Sequence, residues 1–189
     1  MWEALIQYDK ELFLFLNKLG NPSWDGFWMF MTHKLSAIPV YVVLLLLSYR
    51  QLGLKKTLLM LVAVAIMILA TDQLSNFFKY GVKRLRPCYD PELAELVRLV
   101  KNSCGGRFGY FSAHAANSFA IAFFFTFLLS PKYRYIGIFL TVWAILVAYS
   151  RIYIGVHFPM DVLSGALVGL IFSWLFVKLY IFALENTTL

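Results

Sequence analysis

Five long apolar stretches, separated by short polar breaks, restrict this chain more than any other feature. Residues 40–47, 57–70 and 136–150 each lack a single charged side chain. Reading outward from such centres gives spans at 27–49, 57–78, 114–129, 135–152 and 161–184. Each is close to the roughly 17 to 25 residues that a helix needs to cross a bilayer. With 61% of its residues hydrophobic and 14% charged, the chain could not cover its apolar surface as a soluble domain. An all-α polytopic membrane helix bundle of about five spans follows, undivided by any linker or internal repeat.

Residues 2–19 differ from these spans. Leu5, Tyr8, Leu12, Phe15 and Leu19 recur at helical spacing, with Glu3, Asp9, Lys10 and Glu11 between them. The stretch lacks the basic start and small-residue cleavage site of a signal peptide. It reads as an N-terminal interfacial amphipathic helix. The expected organisation is that helix over 1–22, a membrane domain over 23–184 and a short tail over 185–189. His33 and Lys34 fall near the first entrance, Pro39 is a kink site, and the second helix is expected to continue to Leu85 before Pro87 stops it.

An odd number of spans puts the chain ends on opposite sides. One side carries Arg50, Lys55, Lys56, Lys132, Arg134 and Lys178 against Glu185 alone. Basic residues in short loops mark the cytoplasm. The 87–113 and 153–160 loops then face the exterior, and the expected location is a bacterial inner membrane. Cys88 and Cys104 both lie in the larger exterior loop. They either close it as a disulfide, as an oxidising compartment permits, or are two independent small residues.

Charges beside a bilayer are expensive, so their positions are informative. Three groups stand at the exterior ends of spans. Lys79, Lys83, Arg84 and Arg86 precede Pro87, and a helix continuing that far would carry Lys79, Lys83 and Arg86 on one face. Phe111-Ser112-Ala113-His114 opens the third span, where a helix N-terminus presents unpaired N–H groups. Ser150-Arg151 ends the fourth, followed by His157 and Asp161, four apart and on one face if both are helical. A carboxylate on one imidazole nitrogen makes the other a better nucleophile or base. Fixed cations, an N–H nest and two histidines suit a phosphoryl group. No Cys, Glu or Asp cluster stands beside the histidines to add metal ligands, so no metal and no cofactor are expected. The +7 net charge is placed for an anionic headgroup and not for nucleic acid.

These blocks closely resemble the type 2 phosphatidic acid phosphatase (PAP2) family over roughly residues 24–183. K-x6-R-P is matched by Lys79, Arg86 and Pro87, and S-R-x5-H-x3-D by Ser150, Arg151, His157 and Asp161. P-S-G-H stands here as Phe111-Ser112-Ala113-His114, without its proline and glycine. The resemblance implies a PAP2-like core and a metal-independent lipid phosphatase. In it His157 forms a phosphohistidine, Asp161 orients His157, and His114 protonates the leaving group. Lys79, Arg86, Ser112 and Arg151 hold the phosphate. Lys83, Arg84 and Arg107 are secondary candidates for a diphosphate or a second headgroup charge. Asp72 and Asn76 are read as structural.

The expected partners are an anionic lipid phosphate and the bilayer, with no obligate protein partner. A polyprenyl diphosphate such as undecaprenyl diphosphate is the favoured substrate. Lipid A and phosphatidylglycerol phosphate or phosphatidate are the alternatives. Vanadium haloperoxidases share the blocks but resemble soluble proteins, and a non-enzymatic membrane protein would have no use for both histidines and Asp161.

Overall fold

The structure, a computed structural model, describes residues 2–187. Residues 188 and 189 of the expected tail lie outside that range. The described residues form six α-helices: α1 Trp2–Lys18, α2 Pro22–Thr32, α3 Ile38–Val82, α4 Ala113–Leu129, α5 Ile136–Tyr153 and α6 Pro159–Glu185. This is an all-α, polytopic membrane bundle. Three segments are long and apolar enough to cross a membrane, Lys34–Val82, Ile136–Tyr153 and Pro159–Glu185, and α4 is a shorter apolar helix.

The first expected span does not exist as one helix. α2 ends at Thr32, His33 leaves helical geometry, and a 3-10 turn over Lys34–Ala37 leads into α3. His33 serves as the cap between them, its Nδ1 accepting from the Leu35 N–H at 3.3 Å. Pro39 makes no kink, because it sits in the first turn of α3, where its missing N–H has no partner to lose.

A straight helix of the 45 residues in α3 would extend about 68 Å. Instead Gly53 adopts φ 76°, ψ 174°, and Tyr41 and Ile68 line one cavity, so α3 is two antiparallel arms. A positive φ at this tight reversal favours glycine. The second arm ends earlier than expected, at Val82, where Lys83 takes a left-handed cap with φ 54°. Leu85 then bridges to Phe108, and the Arg86 N–H donates to the Arg107 carbonyl at 3.1 Å. Lys79, Lys83 and Arg86 therefore do not share a helical face.

α4 lies at the centre and packs most extensively on α6. Gly165 and Gly169 make that closeness achievable. A Cβ at Gly165 would collide with the Ser112 carbonyl, and one at Gly169 with the Ala116 carbonyl. Small residues let membrane helices approach backbone to backbone. The core between the helices is built from Phe124, Leu129, Leu140, Met60, Met67 and Tyr180, among others.

α1 turns its polar face inward. Asp9, Phe13 and Asn17, at i, i+4 and i+8, are 4%, 0% and 0% exposed, while Phe15 and Leu19 are 62% and 61% exposed. Asn17 holds the helix down: its amide donates to the carbonyls of Arg98, Ile152 and Tyr153, and its oxygen accepts from the Arg98 N–H at 2.8 Å. Asp25 on α2 accepts a two-pronged ion pair from Arg98 at 2.7 Å.

Candidate active site

The site forms where α3, α4, α5 and α6 converge under the 83–112 loop. Ser112 starts α4 as its N-cap. Its Oγ accepts from the Ala115 N–H at 3.5 Å, and its own N–H donates to the Asp161 carbonyl at 2.9 Å. The first N–H groups of α4 lack helical acceptors, and Ala113 and His114 border a cavity of about 510 Å³. Ser112 itself is fully buried and absent from that lining, so its hydroxyl serves the helix end.

Lys79, Arg86, His114, Arg151 and His157 all line this cavity. Three segments distant in sequence thus deliver cations and imidazoles to one space. Lys83 and Arg107 are exposed and do not line it. Arg86 is held by its Nε on the Phe108 carbonyl at 3.2 Å and its Nη1 on the Cys104 carbonyl at 2.7 Å, which leaves Nη2 as the donor still available. Cys104 is joined to Cys88 as a disulfide, with Cα atoms 6.3 Å apart. Arg151 is buried, with Nη1 on the Thr32 hydroxyl and Nε without a protein partner among the described residues. A buried guanidinium N–H facing a cavity needs an acceptor there.

His157 and Asp161 meet, but not along one helical face. His157 precedes α6, and Asp161 is the third residue inside it. Asp161 Oδ2 accepts from the Phe158 N–H at 3.1 Å, capping the helix, and lies 3.4 Å from His157 Nδ1. Nε2 is the ring nitrogen left for the cavity. Burial, then the positive charges of Arg151, Arg86 and Lys79, push the His157 pKa well below its ordinary value, opposed by a hydrogen bond to the Gly109 backbone. These surroundings favour the neutral imidazole. Gly109 allows this close approach, since a Cβ there would lie 3.0 Å from Asp161 Oδ2 and 3.2 Å from Arg86 Cγ.

Arg84 departs from its expected place. It does not face the cavity; it sits behind Asp161. Nη1 donates to Asp161 Oδ1 at 2.9 Å and Nη2 to Asp9 Oδ2 at 2.5 Å. Its guanidinium stacks 4.3 Å from the Phe158 ring centroid. Asp9 Oδ1 in turn accepts from the Met160 N–H at 2.9 Å. Burial raises the Asp9 carboxyl, while Arg84 and the Met160 N–H favour its charged form.

Sequence reasoning missed Asp9, Gly109, Thr32 and Lys34. Two acids and one arginine separated by about 75 residues leave no local pattern, but Gly165 and Gly169 form a four-residue small-residue spacing that was readable. Asp72 and Asn76, read as structural, both border the cavity together with Asn117. Asn117 donates to Asp72 Oδ1 at 2.9 Å. Among the described residues, no group of three or more His, Cys, Asp or Glu side chains is arranged to hold a metal ion.

Known proteins carry the same architecture. Lipid A 4'-phosphatase of Bacteroides thetaiotaomicron is 39% identical over 93% of this chain and 78% of its own. Lipid A 4'-phosphatase of Porphyromonas gingivalis is 34% identical over 96% of this chain and 76% of its own. The crystal structure of a transmembrane PAP2-type phosphatidylglycerolphosphate phosphatase from Bacillus subtilis superposes with a TM-score of 0.73 at 22% identity. It covers 98% of this chain and 89% of that one. The PAP2 superfamily model matches residues 56–184, a range holding all three charged blocks, so the chain belongs to that superfamily and is a membrane lipid phosphatase.

Proposed function

We propose that the protein removes the phosphate from a lipid whose phosphorylated headgroup also bears hydroxyl or amide groups, of the lipid A type. The observation that carries this reading is the composition of the cavity wall. Beyond the cations it presents Asp72, Asn76 and Asn117, an acceptor and two amides. A phosphate needs none of these, and a carboxylate would repel it. Asn117 is paired with Asp72, and a sugar carrying amide and hydroxyl groups beside its phosphate supplies partners for Asn76 and for the second Asp72 oxygen. The two relatives named as lipid A 4'-phosphatases support the same choice over the polyprenyl diphosphate expected from sequence.

In this reading His157 Nε2 attacks phosphorus while the bond to the sugar oxygen breaks. His114 gives that oxygen its proton. Water, deprotonated by His114, then attacks the phosphohistidine, releasing inorganic phosphate and freeing His157. Lys79, Arg86, Arg151 and the first N–H groups of α4 hold the three equatorial oxygens as charge builds on them. The two arms of α3 together with α4, α5 and α6 make five membrane passes. α1 lies in the interface with its apolar face toward lipid, and the site opens to the exterior.

A second reading, a diphosphate substrate, is favoured by Lys34, a further cation on the same cavity wall. Phosphate release by detergent-purified protein, with chelator, from lipid A bisphosphate, phosphatidate and undecaprenyl diphosphate separates them. The proposal expects the largest kcat/KM on lipid A. A tenfold preference for the diphosphate overturns it.

A further inference from the structure

We propose that Asp9, on the N-terminal helix, is a positioning residue for phosphoryl transfer, acting on His157 through Arg84 and Asp161. The inference rests on the His157 nucleophile proposed above. Three contacts converge to make it. Arg84 has a planar, rigid fork, and its two ends are held by two different carboxylates, Asp9 Oδ2 on Nη2 and Asp161 Oδ1 at 2.9 Å on Nη1. Asp9 Oδ1 also accepts from the N–H of Met160, the residue preceding Asp161, at 2.9 Å. Asp9 therefore fixes both the backbone that carries Asp161 and the cation that orients its carboxylate. Phe13, one turn along α1, closes the arrangement from behind by packing edge-on against Phe158 at 5.4 Å, the ring on which Arg84 stacks.

The sequence makes sense of this only with α1 inverted. A helix docked by hydrophobic contact would turn Leu5, Tyr8, Leu12 and Phe15 inward. Here those residues face outward, and the buried stripe is Asp9, Phe13 and Asn17. A 4%-exposed carboxylate is expensive unless its partners satisfy it, and both oxygens are satisfied by groups that lead to Asp161. Asn17 and Phe13 dock the helix through contacts of their own, and Lys10 adds an ion pair to Asp90 at 2.9 Å away from the cavity. Variants at Lys10 therefore probe anchoring apart from Asp9. A helix at the membrane surface supplies the outer end of a relay that runs Asp9, Arg84, Asp161, His157.

The test is steady-state and rapid-quench kinetics on the full chain in detergent, with labelled lipid A bisphosphate, for Asp9→Asn, Arg84→Gln, the double variant and Lys10→Gln. Asp9→Asn keeps the size of the side chain and an acceptor for Met160. It should lower kcat and the rate of phosphohistidine formation by about tenfold with KM changed less than twofold. Arg84→Gln should lower both at least as far. The double variant should lose no more than Arg84→Gln alone, because both changes break one relay. Lys10→Gln, which loosens the same helix elsewhere, should keep kcat within twofold. The proposal is overturned if Asp9→Asn retains kcat within twofold, if its loss lies wholly in KM, or if the losses at Asp9 and Arg84 multiply. Should Asp9→Asn not accumulate, Asp9→Glu is read by the same split, since its extra methylene displaces Arg84 and must lower kcat. A wild type that turns over lipid without forming phosphohistidine overturns the nucleophile assignment, and the kcat and KM of Asp9→Asn still decide this one.

Discussion

Arg86 Nη1 donates to the carbonyl of Cys104 at 2.7 Å, so a cation lining the cavity is oriented by a residue of the Cys88–Cys104 bridge. The bridge closes the long polar loop between α3 and α4, and Tyr89 on its other side donates to the Gly105 carbonyl at 3.1 Å. The crosslink and a cavity-lining cation meet in this loop.

Breaking the bridge should therefore weaken phosphate binding more than chemistry. Cys88→Ser with Cys104→Ser is expected to raise KM several-fold while kcat falls less than threefold. A loop of this length contributes about 3 kcal/mol on the chain-entropy account, so melting temperature should fall as well. Kinetics before and after treatment of the wild type with reductant provide the check, and an unchanged KM would show that Arg86 does not depend on the bridge.

Gly109 lies against both Asp161 and Arg86 through space that a methyl group would fill. Gly109→Ala should push the loop away from His157 and reduce kcat/KM by at least tenfold, with a stability loss of about 1 to 3 kcal/mol. Gly106→Ala, where a Cβ meets nothing within 4 Å, is the matched control. Equal activity in the two variants would contradict the close-approach argument.

The depressed pKa of His157 links folding to pH with a definite sign. Above about 6.5 the residue is neutral in both folded and unfolded chains and contributes no pH dependence. As pH falls below 6.5 the unfolded chain takes up a proton that the folded site refuses, so stability declines toward acid. His157→Gln should flatten that part of the slope. Thermal unfolding from pH 7.5 to 5 in both proteins measures it, and parallel curves would contradict the assignment.

Gly165→Leu and Gly169→Leu should each separate α6 from α4, because the side chain meets a carbonyl of the neighbouring helix. Loss of monodisperse protein, or a melting temperature lower by more than about 10 °C, is expected from destabilisation beyond roughly 3 kcal/mol. Gly81→Leu, at a position with nothing nearby, should be tolerated.

What was legible in the sequence follows from range. Bilayer length and apolar runs locate α4, α5 and α6 to within a few residues, because local hydropathy decides them. Lys79, Arg86, His114, Arg151 and His157 were identifiable because charge beside a bilayer is costly. The end of α3 was not, since Lys83 takes its left-handed cap to let Leu85 and Arg86 pair with the 107–108 backbone. Ser112 looked like a phosphate ligand because a cap and a ligand use the same residue. Arg84 looked like a spare cation, and only the inward face of α1, set by Asn17 and Phe13, shows what it holds.

The central claim is that His157 accepts the phosphoryl group and His114 does not. Rapid-quench trapping with labelled lipid phosphate, in excess chelator, tests it on the wild type, His157→Ala and His114→Ala. The account predicts label on His157 in the wild type, none in His157→Ala, and slowed appearance and decay in His114→Ala. Label retained by His157→Ala, or mapped to His114 in the wild type, would contradict it.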